Sequence, residues 1–205
     1  MDSRICDMLG IEFPLVAFSH CRDVVVEVSK AGGFGVFGAA TITPEQLEIE
    51  LSWIDEHIDG KPYGVDLILP NKYEGKGEQK SPDEVLAMLP VEHIDFVNGI
   101  LEAHGVSSDD VDDAAGRDSM GFANNLSIEG ALGHLDVAFA HPIKLIANAL
   151  GVPPKEMLAR GRQNGVAVAA LVGAKSHALN QVQAGVDILV VAGGEAGGHC
   201  GSVST

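Results

Sequence analysis

Short apolar runs alternate with amphipathic segments along most of this chain. Apolar runs of this length, flanked by glycine or proline, are typical of strands buried on both faces of a parallel sheet. The pattern predicts six strands, at residues 15–18, 34–37, 63–69, 135–140, 166–172 and 188–192. It predicts helices between them, at residues 23–31, 43–58, 122–132, 142–150, 155–163 and 175–184.

One helix carries a clear start signal. Thr43 is a residue type that caps helix N-termini, Pro44 fits the first helical position, and Gln46 lies in the first turn. The helical spacing of the apolar residues that follow predicts the buried face, which comprises Leu47, Leu51, Ile54 and Ile58.

The alternation breaks between residues 71 and 117. Residues 71–81 are rich in Lys, Glu and Gly without periodicity, and residues 107–113 form an acidic connector. Two short amphipathic helices are predicted between them, near residues 82–88 and 91–104. We interpret the block as an insertion into the core domain, either a lid or interface or a solvated excursion.

Six strands separated by helical connections predict parallel pairing with right-handed crossovers in a single domain. Two α/β architectures compete: a doubly wound open sheet and an incomplete (β/α)8 TIM-type barrel of about six βα units. No GxGxxG element follows the first strand, which weakens the dinucleotide-binding form of the open sheet. Strands that end in glycine and deliver polar groups at their carboxyl ends favour the barrel.

Composition narrows the class of partner. The 205 residues carry a formal net charge of −16, which argues against nucleic acids and anionic membranes. No apolar run approaches the roughly 20 residues that span a bilayer, and the N-terminus lacks a secretory pattern. Three widely spaced cysteines predict a reducing, cytoplasmic setting without disulfides. The adjacent His and Cys pairs lack zinc-ligand spacing, so no metal is expected.

The stretch from residue 186 to residue 201, VDILVVAGGEAGGHCG, organises the chemistry. An apolar strand leads into Gly193, Gly194, Gly197 and Gly198, and His199 follows at once. Glycines let a ligand approach the backbone closely, and histidine can exchange a proton near neutral pH. The arrangement suits a flat ligand lying on the loop. The alternative is a Gly-rich turn beside an ordinary surface histidine.

Other polar residues follow the predicted strands. Asp66 lies inside an apolar strand and either serves a site or bonds to backbone amides. His20 and His141 follow the first and fourth predicted strands, where each either faces the pocket or is a structural histidine. His177 lies on a helix and is expected to face solvent.

Three stretches together resemble the nitronate monooxygenases, also called 2-nitropropane dioxygenases. These stretches are SHCRDVVVEVSKAGGFGVFGA, KPYGVDLILP and AALVGAKSHALNQVQAGVDILVVAGGEAGGHCG. The resemblance implies an FMN-dependent (β/α)8 barrel, a flavoprotein oxidoreductase. Such an enzyme oxidises alkyl nitronates with dioxygen to a carbonyl compound and nitrite. Its partners would be this small substrate and dioxygen.

The resemblance also implies roles for single residues. His199 matches the family's active-site histidine, which would accept a proton from a nitroalkane or hydrogen-bond the nitronate. Positions that match flavin contacts are Ala17, Phe18, Ser19, Asp66, Ala192, Gly197 and Gly198.

The chain departs from the family pattern in several places. Asp66 replaces a common asparagine and Ala192 a common glutamine, and the loop after the first strand reads FSHC. A carboxylate at Asp66 would disfavour a reduced, anionic flavin unless it is protonated or paired.

The seventh and eighth strands of the family are also absent, so we expect a fragment of a longer protein. If the protein occurs naturally at this length, we expect it to dimerise, open into a sheet or be poorly soluble. A related flavin barrel, such as an enoyl-thioester reductase, and a non-catalytic truncated chain are the alternatives.

Overall fold

The computed structural model describes residues 3–69, 88–106 and 128–197. Strands in these ranges are β1 (Val16–Ser19), β2 (Phe34–Gly38), β3 (Tyr63–Leu67), β4 (Leu145–Asn148), β5 (Ala167–Val172) and β6 (Ile188–Val191). Helices are α1 (Arg4–Leu9), α2 (Arg22–Lys30), α3 (Pro44–His57), α4 (Val91–Ala103), α5 (Ile128–Ala140), α6 (Lys155–Asn164) and α7 (Lys175–Ala184).

The six strands form one parallel sheet in the order β1-β2-β3-β4-β5-β6. Each strand therefore pairs with its neighbours in sequence, and the order never reverses as it must in a doubly wound sheet. The sheet curls into a half-barrel with the helices outside, which confirms the incomplete (β/α)8 barrel. Within the described ranges, β1 and β6 each pair on one side only.

Two hydrophobic clusters cover the two faces of the sheet. The larger lies between sheet and helices and joins Phe37, Val65 and Ile146 to apolar side chains of α3 such as Leu47 and Leu51. The smaller lies on the concave face and joins residues of α1 to strand residues, namely Cys6, Leu9, Ile11, Phe34, Val36, Leu145, Ala147 and Ala169. The hydrophobic pattern did not predict helix α1. This helix covers the end of the half-barrel at which the strands begin.

The start of α3 matches its sequence signal. The Thr43 hydroxyl accepts a hydrogen bond from the Gln46 amide at 3.3 Å, and the Gln46 side-chain oxygen accepts one from the Thr43 amide at 3.1 Å. This reciprocal capping box satisfies two amides that would otherwise lack partners at the helix start. Leu47, Leu51 and Ile54 are fully buried, as their spacing predicts.

The fourth strand was predicted in the wrong place. Residues 135–140 belong to α5, and the strand is β4, which lies within the predicted helix 142–150. Short apolar runs are ambiguous between a strand and a buried helix segment. Leu135 and Ala138 lie in the core one helical turn apart, whereas Asp136 points outward to Arg160. Every residue of β4 is buried, which a strand covered on both faces requires.

The block that we interpret as an insertion from the sequence is described only in part. Helix α4 confirms the helix predicted near residues 91–104, and none of its residues is buried. Residues 70–87 and 107–127 lie outside the described residues, and with them the helix predicted at 82–88 and the acidic connector. No helix in the described ranges is long and apolar enough to cross a membrane.

Candidate active site at the carboxyl ends of the strands

One row of paired residues crosses the concave face, from the carboxyl ends of β2, β3 and β4 to the amino end of β6. Gly38 pairs with Asp66, Asp66 with Ala147, Ala147 with Ala169, and Ala169 with Ile188. Paired residues in neighbouring strands project to the same face of a sheet. Asp66 is thus the one charged side chain in this row, and its two flanking neighbours are a glycine and an alanine. The small neighbours leave room for a ligand above the carboxyl group.

The Asp66 carboxyl lies in an environment that favours its neutral form. Its Oδ1 atom is buried and has no hydrogen-bond partner among the described residues. Burial raises the pKa of Asp66 to about 7, against the opposing effects of His20 and the Leu67 backbone amide. A protonated carboxyl group can donate a hydrogen bond, which a carboxylate cannot. A buried oxygen without a partner, beside the exposed apolar surface described below, points to a ligand.

His20 lies beside this row at the end of β1. Its Nδ1 atom is 2.9 Å from the carbonyl oxygen of Gly38, and its ring meets the ring of Phe18 edge-on with centroids 5.0 Å apart. A Cβ atom built on Gly38 would lie 2.5 Å from the Phe18 ring and 2.8 Å from the His20 Nδ1. Glycine at position 38 therefore lets both rings fold over the sheet next to Asp66.

Apolar side chains complete the exposed concave surface. Phe18 is 56% exposed and Val190 44% exposed, and both project to the same face as Asp66. Leu171 pairs with Val190 on this face. Exposed aromatic and aliphatic side chains beside a few convergent polar groups are typical of sites for flat organic ligands. The surface and the Asp66 oxygen together fit a planar group such as the flavin ring system.

The remaining predicted site residues differ in where the structure places them. Ala17 and Ser19 alternate with Phe18 and project to the helix side, so only their backbone groups face the concave surface. The Ser19 hydroxyl accepts a hydrogen bond from the Cys21 amide at 3.0 Å, near the start of α2. Ala192 follows β6, and Gly197 has open space at its Cα. Gly198 and His199 lie outside the described residues, so their roles stay predictions.

His141 does not lie at the end of a strand, contrary to the prediction. It follows α5 on the outside of the barrel, because the run before it is a helix. Its Nδ1 is 2.7 Å from the Asp55 carboxylate, which also accepts a 2.7 Å hydrogen bond from the Tyr63 hydroxyl, and its Nε2 is 3.3 Å from Glu48. His141 therefore links α3 to the turn after α5. His177 is exposed on α7, as predicted.

Sequence reasoning missed two residues at this end of the barrel. Gly38 was seen only as the end of a strand, although its place after FGVF, paired to the strand of Asp66, could have marked it. Asn148 was assigned to a helix, yet it ends β4 fully buried and bonds to the backbone of Leu69, Leu150 and Gly151. Neither role is visible until the strand pairing is known.

The described residues hold no group of three or more His, Cys, Asp or Glu side chains that could bind a metal ion. In the same ranges, Cys6 and Cys21 are free thiols, one buried and one exposed. Cys200 lies outside the described residues.

Comparison with known proteins agrees with this geometry. A protein of Mycobacterium tuberculosis named as a monooxygenase is 49% identical over 207 residues, covering 100% of this chain and 54% of the relative. A Staphylococcus saprophyticus protein named as a nitronate monooxygenase is 23% identical over 209 residues, covering 100% and 52%. This chain thus spans about half the length of these relatives.

Solved structures share the fold. A nitroalkane oxidase from Streptomyces ansochromogenes aligns with a TM-score of 0.65 and 22% identity, over 97% of this chain and 51% of its own. FabK from Thermotoga maritima aligns with a TM-score of 0.64 and 21% identity, over 100% and 48%. At these identities the likeness supports the barrel and not an activity.

The family comparison covers almost every residue. The model that describes nitronate monooxygenase matches residues 2–205, which include the site and both edges of the half-barrel. On this match, the chain belongs to the nitronate monooxygenase family.

Proposed function

We propose that this chain belongs to an FMN-dependent oxidoreductase that oxidises alkyl nitronates. Dioxygen would be the oxidant, and the products would be a carbonyl compound and nitrite. The observation that carries the proposal is the orphaned Asp66 oxygen on an exposed apolar concave face in a chain of this family. The names of the relatives, a nitronate monooxygenase and a nitroalkane oxidase, support the substrate class.

The residues of the concave face fit a flavin. Phe18 and Val190 offer apolar contact to a planar ring, and Asp66 in its neutral form offers a hydrogen bond to an acceptor atom. Backbone groups of Ala17, Ser19, Gly197 and Gly198, with the small Ala192, would complete the contact surface. When bound, FMN supplies the route by which electrons pass from the substrate to dioxygen.

Asp66 resolves one apparent conflict with this proposal. A carboxylate next to a flavin would disfavour the negative charge that a reduced flavin acquires. Burial raises the pKa of Asp66 to about 7, so much of this group is neutral at physiological pH. The neutral acid donates a hydrogen bond, as the amide of the family's common asparagine would.

His199 is proposed as the proton-handling residue. It follows the Gly-rich segment after β6, and β6 lies in the same sheet as the strand that carries Asp66. Its imidazole would accept a proton from a nitroalkane carbon or donate a hydrogen bond to the nitronate. The bare glycines before it would let the substrate and the flavin lie against the backbone.

Dioxygen uptake tests the proposal. We expect FMN-loaded protein to consume dioxygen when an alkyl nitronate is added and to release nitrite, and His199→Ala to lower this rate at least about tenfold. His177→Ala, on the exposed face of α7, serves as the matched control and leaves the rate unchanged. Unchanged turnover in His199→Ala would refute the role of His199.

Two further outcomes separate the alternatives. Oxidation of a nicotinamide donor in place of nitronate oxidation would indicate a related flavin barrel, such as an enoyl-thioester reductase. A colourless protein that gains no bound FMN would favour a non-catalytic chain.

A further inference from the structure

Helix α4 presents a narrow apolar stripe to solvent. We call this set of exposed residues the α4 stripe, and it comprises Phe96, Gly99, Ile100 and Ala103. Their spacing of three and four residues aligns them along one side of a helix. The partly buried residues of α4, Asn98 and Leu101, lie on the opposite side of the helix. The side of α4 that points to solvent is therefore apolar.

A helix of this length needs packing that the described residues do not supply. Helix α4 has 13 residues, and isolated helices of about 12–15 residues are marginal in water. None of its residues is buried, and among the described elements none packs extensively against it. In folded proteins, most helical stability comes from packing of an amphipathic face. The exposed stripe is such a face.

Gly99 has no role in the fold of the described residues. A Cβ atom built on it would meet nothing within 4 Å, and its backbone is helical. Glycine in the interior of a helix is less favourable than alanine, so an exposed helix gains nothing from it. Glycine in a packing face lets a second helix approach the backbone closely. The position of Gly99 in the stripe fits a helical partner.

The order of large and small residues makes the stripe complementary to itself. Along the chain, the α4 stripe alternates large, small, large and small side chains. In an antiparallel copy the order is reversed, so Phe96 would lie opposite the second copy's Ala103. Ile100 would likewise lie opposite the second copy's Gly99. A two-fold interface requires a patch that matches itself, and dense packing requires large residues to face small ones.

Charge also favours a second copy as the occupant. The chain carries a formal net charge of −16, so two copies repel each other over most of their surfaces. The α4 stripe carries no charged residue, and the acidic residues of α4, Glu92, Asp95 and Glu102, lie outside it. Two copies can therefore meet at the stripe without bringing carboxylates into the contact. The same net charge disfavours an anionic membrane surface.

The exposed apolar area is sufficient for a weak dimer. Residues 88–106 include eight large apolar side chains that are each at least 41% exposed. Together they expose on the order of 700 Å², close to the roughly 800 Å² that each partner contributes to a standard interface. A contact between two helices covers only part of this area. The association is therefore expected to depend on protein concentration.

We propose that this chain self-associates through the α4 stripe. Helix α4 of one copy packs antiparallel against α4 of a second copy across a two-fold axis, with the two Gly99 residues near the crossing point. This contact is distinct from the pairing of strand edges, and it involves no residue of the candidate active site.

Sedimentation velocity of the purified chain tests the proposal. We expect the weight-average mass to rise from near 21.4 kDa toward twice that value between roughly 1 and 500 µM. Phe96→Glu should weaken dimerisation at least about tenfold, because it places a charge in the apolar contact. Ile49→Glu is the matched control, since Ile49 is a 62% exposed apolar residue on α3, and it leaves dimerisation unchanged.

Gly99→Leu separates loss of the contact from loss of the fold. Leucine fills the space where the helices meet, yet it favours the helix more than glycine does. We expect dimerisation at least about tenfold weaker, with equal or higher helix content by circular dichroism. A chain that stays monomeric at every concentration, or a dimer that neither variant weakens, would overturn the proposal. A monomer that Gly99→Leu makes less stable in urea would show that the chain itself covers the stripe, which would also overturn it.

Discussion

The side chain of Asn148 forms hydrogen bonds with both the backbone amide and the backbone carbonyl group of Leu69. The Oδ1 atom of Asn148 accepts a 2.9 Å hydrogen bond from the Leu69 amide, and its Nδ2 atom donates to the Leu69 carbonyl oxygen at 3.3 Å. The same Nδ2 donates to the carbonyl oxygens of Leu150 and Gly151. One fully buried side chain thus ties the segment after β3 to the segment after β4, next to the strand end that carries Asp66.

Replacement of Asn148 should be costly. Asn148→Ala leaves the buried Leu69 amide without its partner, and we expect the free energy of unfolding to fall by about 2–3 kcal/mol. Urea denaturation measures this change. Asn164→Ala is the matched control, because its amide donates to the Arg160 carbonyl at the exposed end of α6, and it should cost under about 0.5 kcal/mol. Equal losses of unfolding free energy in the two variants would contradict the role given to Asn148.

Two glycines of β2 should respond differently to the same substitution. A Cβ atom on Gly35 would lie 2.7 Å from the Cα atom of Val25, in the backbone of α2, which cannot move aside cheaply. We expect Gly35→Ala to destabilise the fold by more than about 2 kcal/mol. The atoms nearest to a Cβ on Gly38 belong to the side chains of Phe18 and His20, which can turn away, so thermal unfolding of Gly38→Ala should change little. The NMR chemical shifts of the His20 ring should instead change in Gly38→Ala. Unchanged shifts would contradict the packing of His20 against Gly38.

Asp66 should make folding stability depend on pH. Its pKa is raised to about 7 in the folded state, so the favourable contribution is complete below the unfolded pKa near 4 and is lost as pH rises through about 7. Asp66→Asn lacks this titration. Relative to the native chain, it should gain stability, by up to a few kcal/mol, between about pH 4 and pH 8.

Urea denaturation across this pH range checks the prediction. Asp95→Asn on the exposed surface of α4 is the control and should show no such trend. A constant difference between native and Asp66→Asn protein would place the titration elsewhere.

Tyr63 should resist ionisation in alkali. Burial raises the pKa of its hydroxyl, and the hydrogen bond to Asp55 and the charge of that carboxylate add to the effect. The stabilising contribution is present below the ordinary tyrosine pKa of about 10 and is lost as pH rises above it. Ultraviolet titration should show one phenolate that appears only as the chain unfolds, and Tyr63→Phe should remove that step. A Tyr63 that ionises before unfolding would contradict its burial beside Asp55.

The sequence pattern predicted those strands that have glycine or proline close to their ends in the sequence. The strands β1, β2, β3, β5 and β6 lie where apolar runs end near glycine or proline, and helix α3 begins where Thr43 and Pro44 place its cap. Residues 135–140 were wrongly predicted as a strand because a run of small and apolar residues is compatible with either a strand or a buried helix. Only the packing of Leu135 and Ala138 against the core distinguishes the two, and that packing is a tertiary property.

The site was predicted by residue type and by family resemblance, not by arrangement. Phe18 and Asp66 lie on one face, as a shared site requires, whereas the side chains of Ala17 and Ser19 project to the other. Strand alternation could have separated them, but the register that pairs Gly38 with Asp66 could not be read from the sequence. His20 gained its place beside Asp66 from that register.

The central claim is that the concave face with Phe18 and Asp66 binds FMN, and equilibrium dialysis of FMN against the purified chain tests it most directly. We predict one bound FMN per chain and at least about tenfold weaker binding by Phe18→Glu, which puts a charge on the apolar surface. Val24→Glu, at another exposed apolar position on α2, should bind like the native chain. Absence of FMN binding by the native chain, or equal affinity of the native and Phe18→Glu chains, would contradict the account.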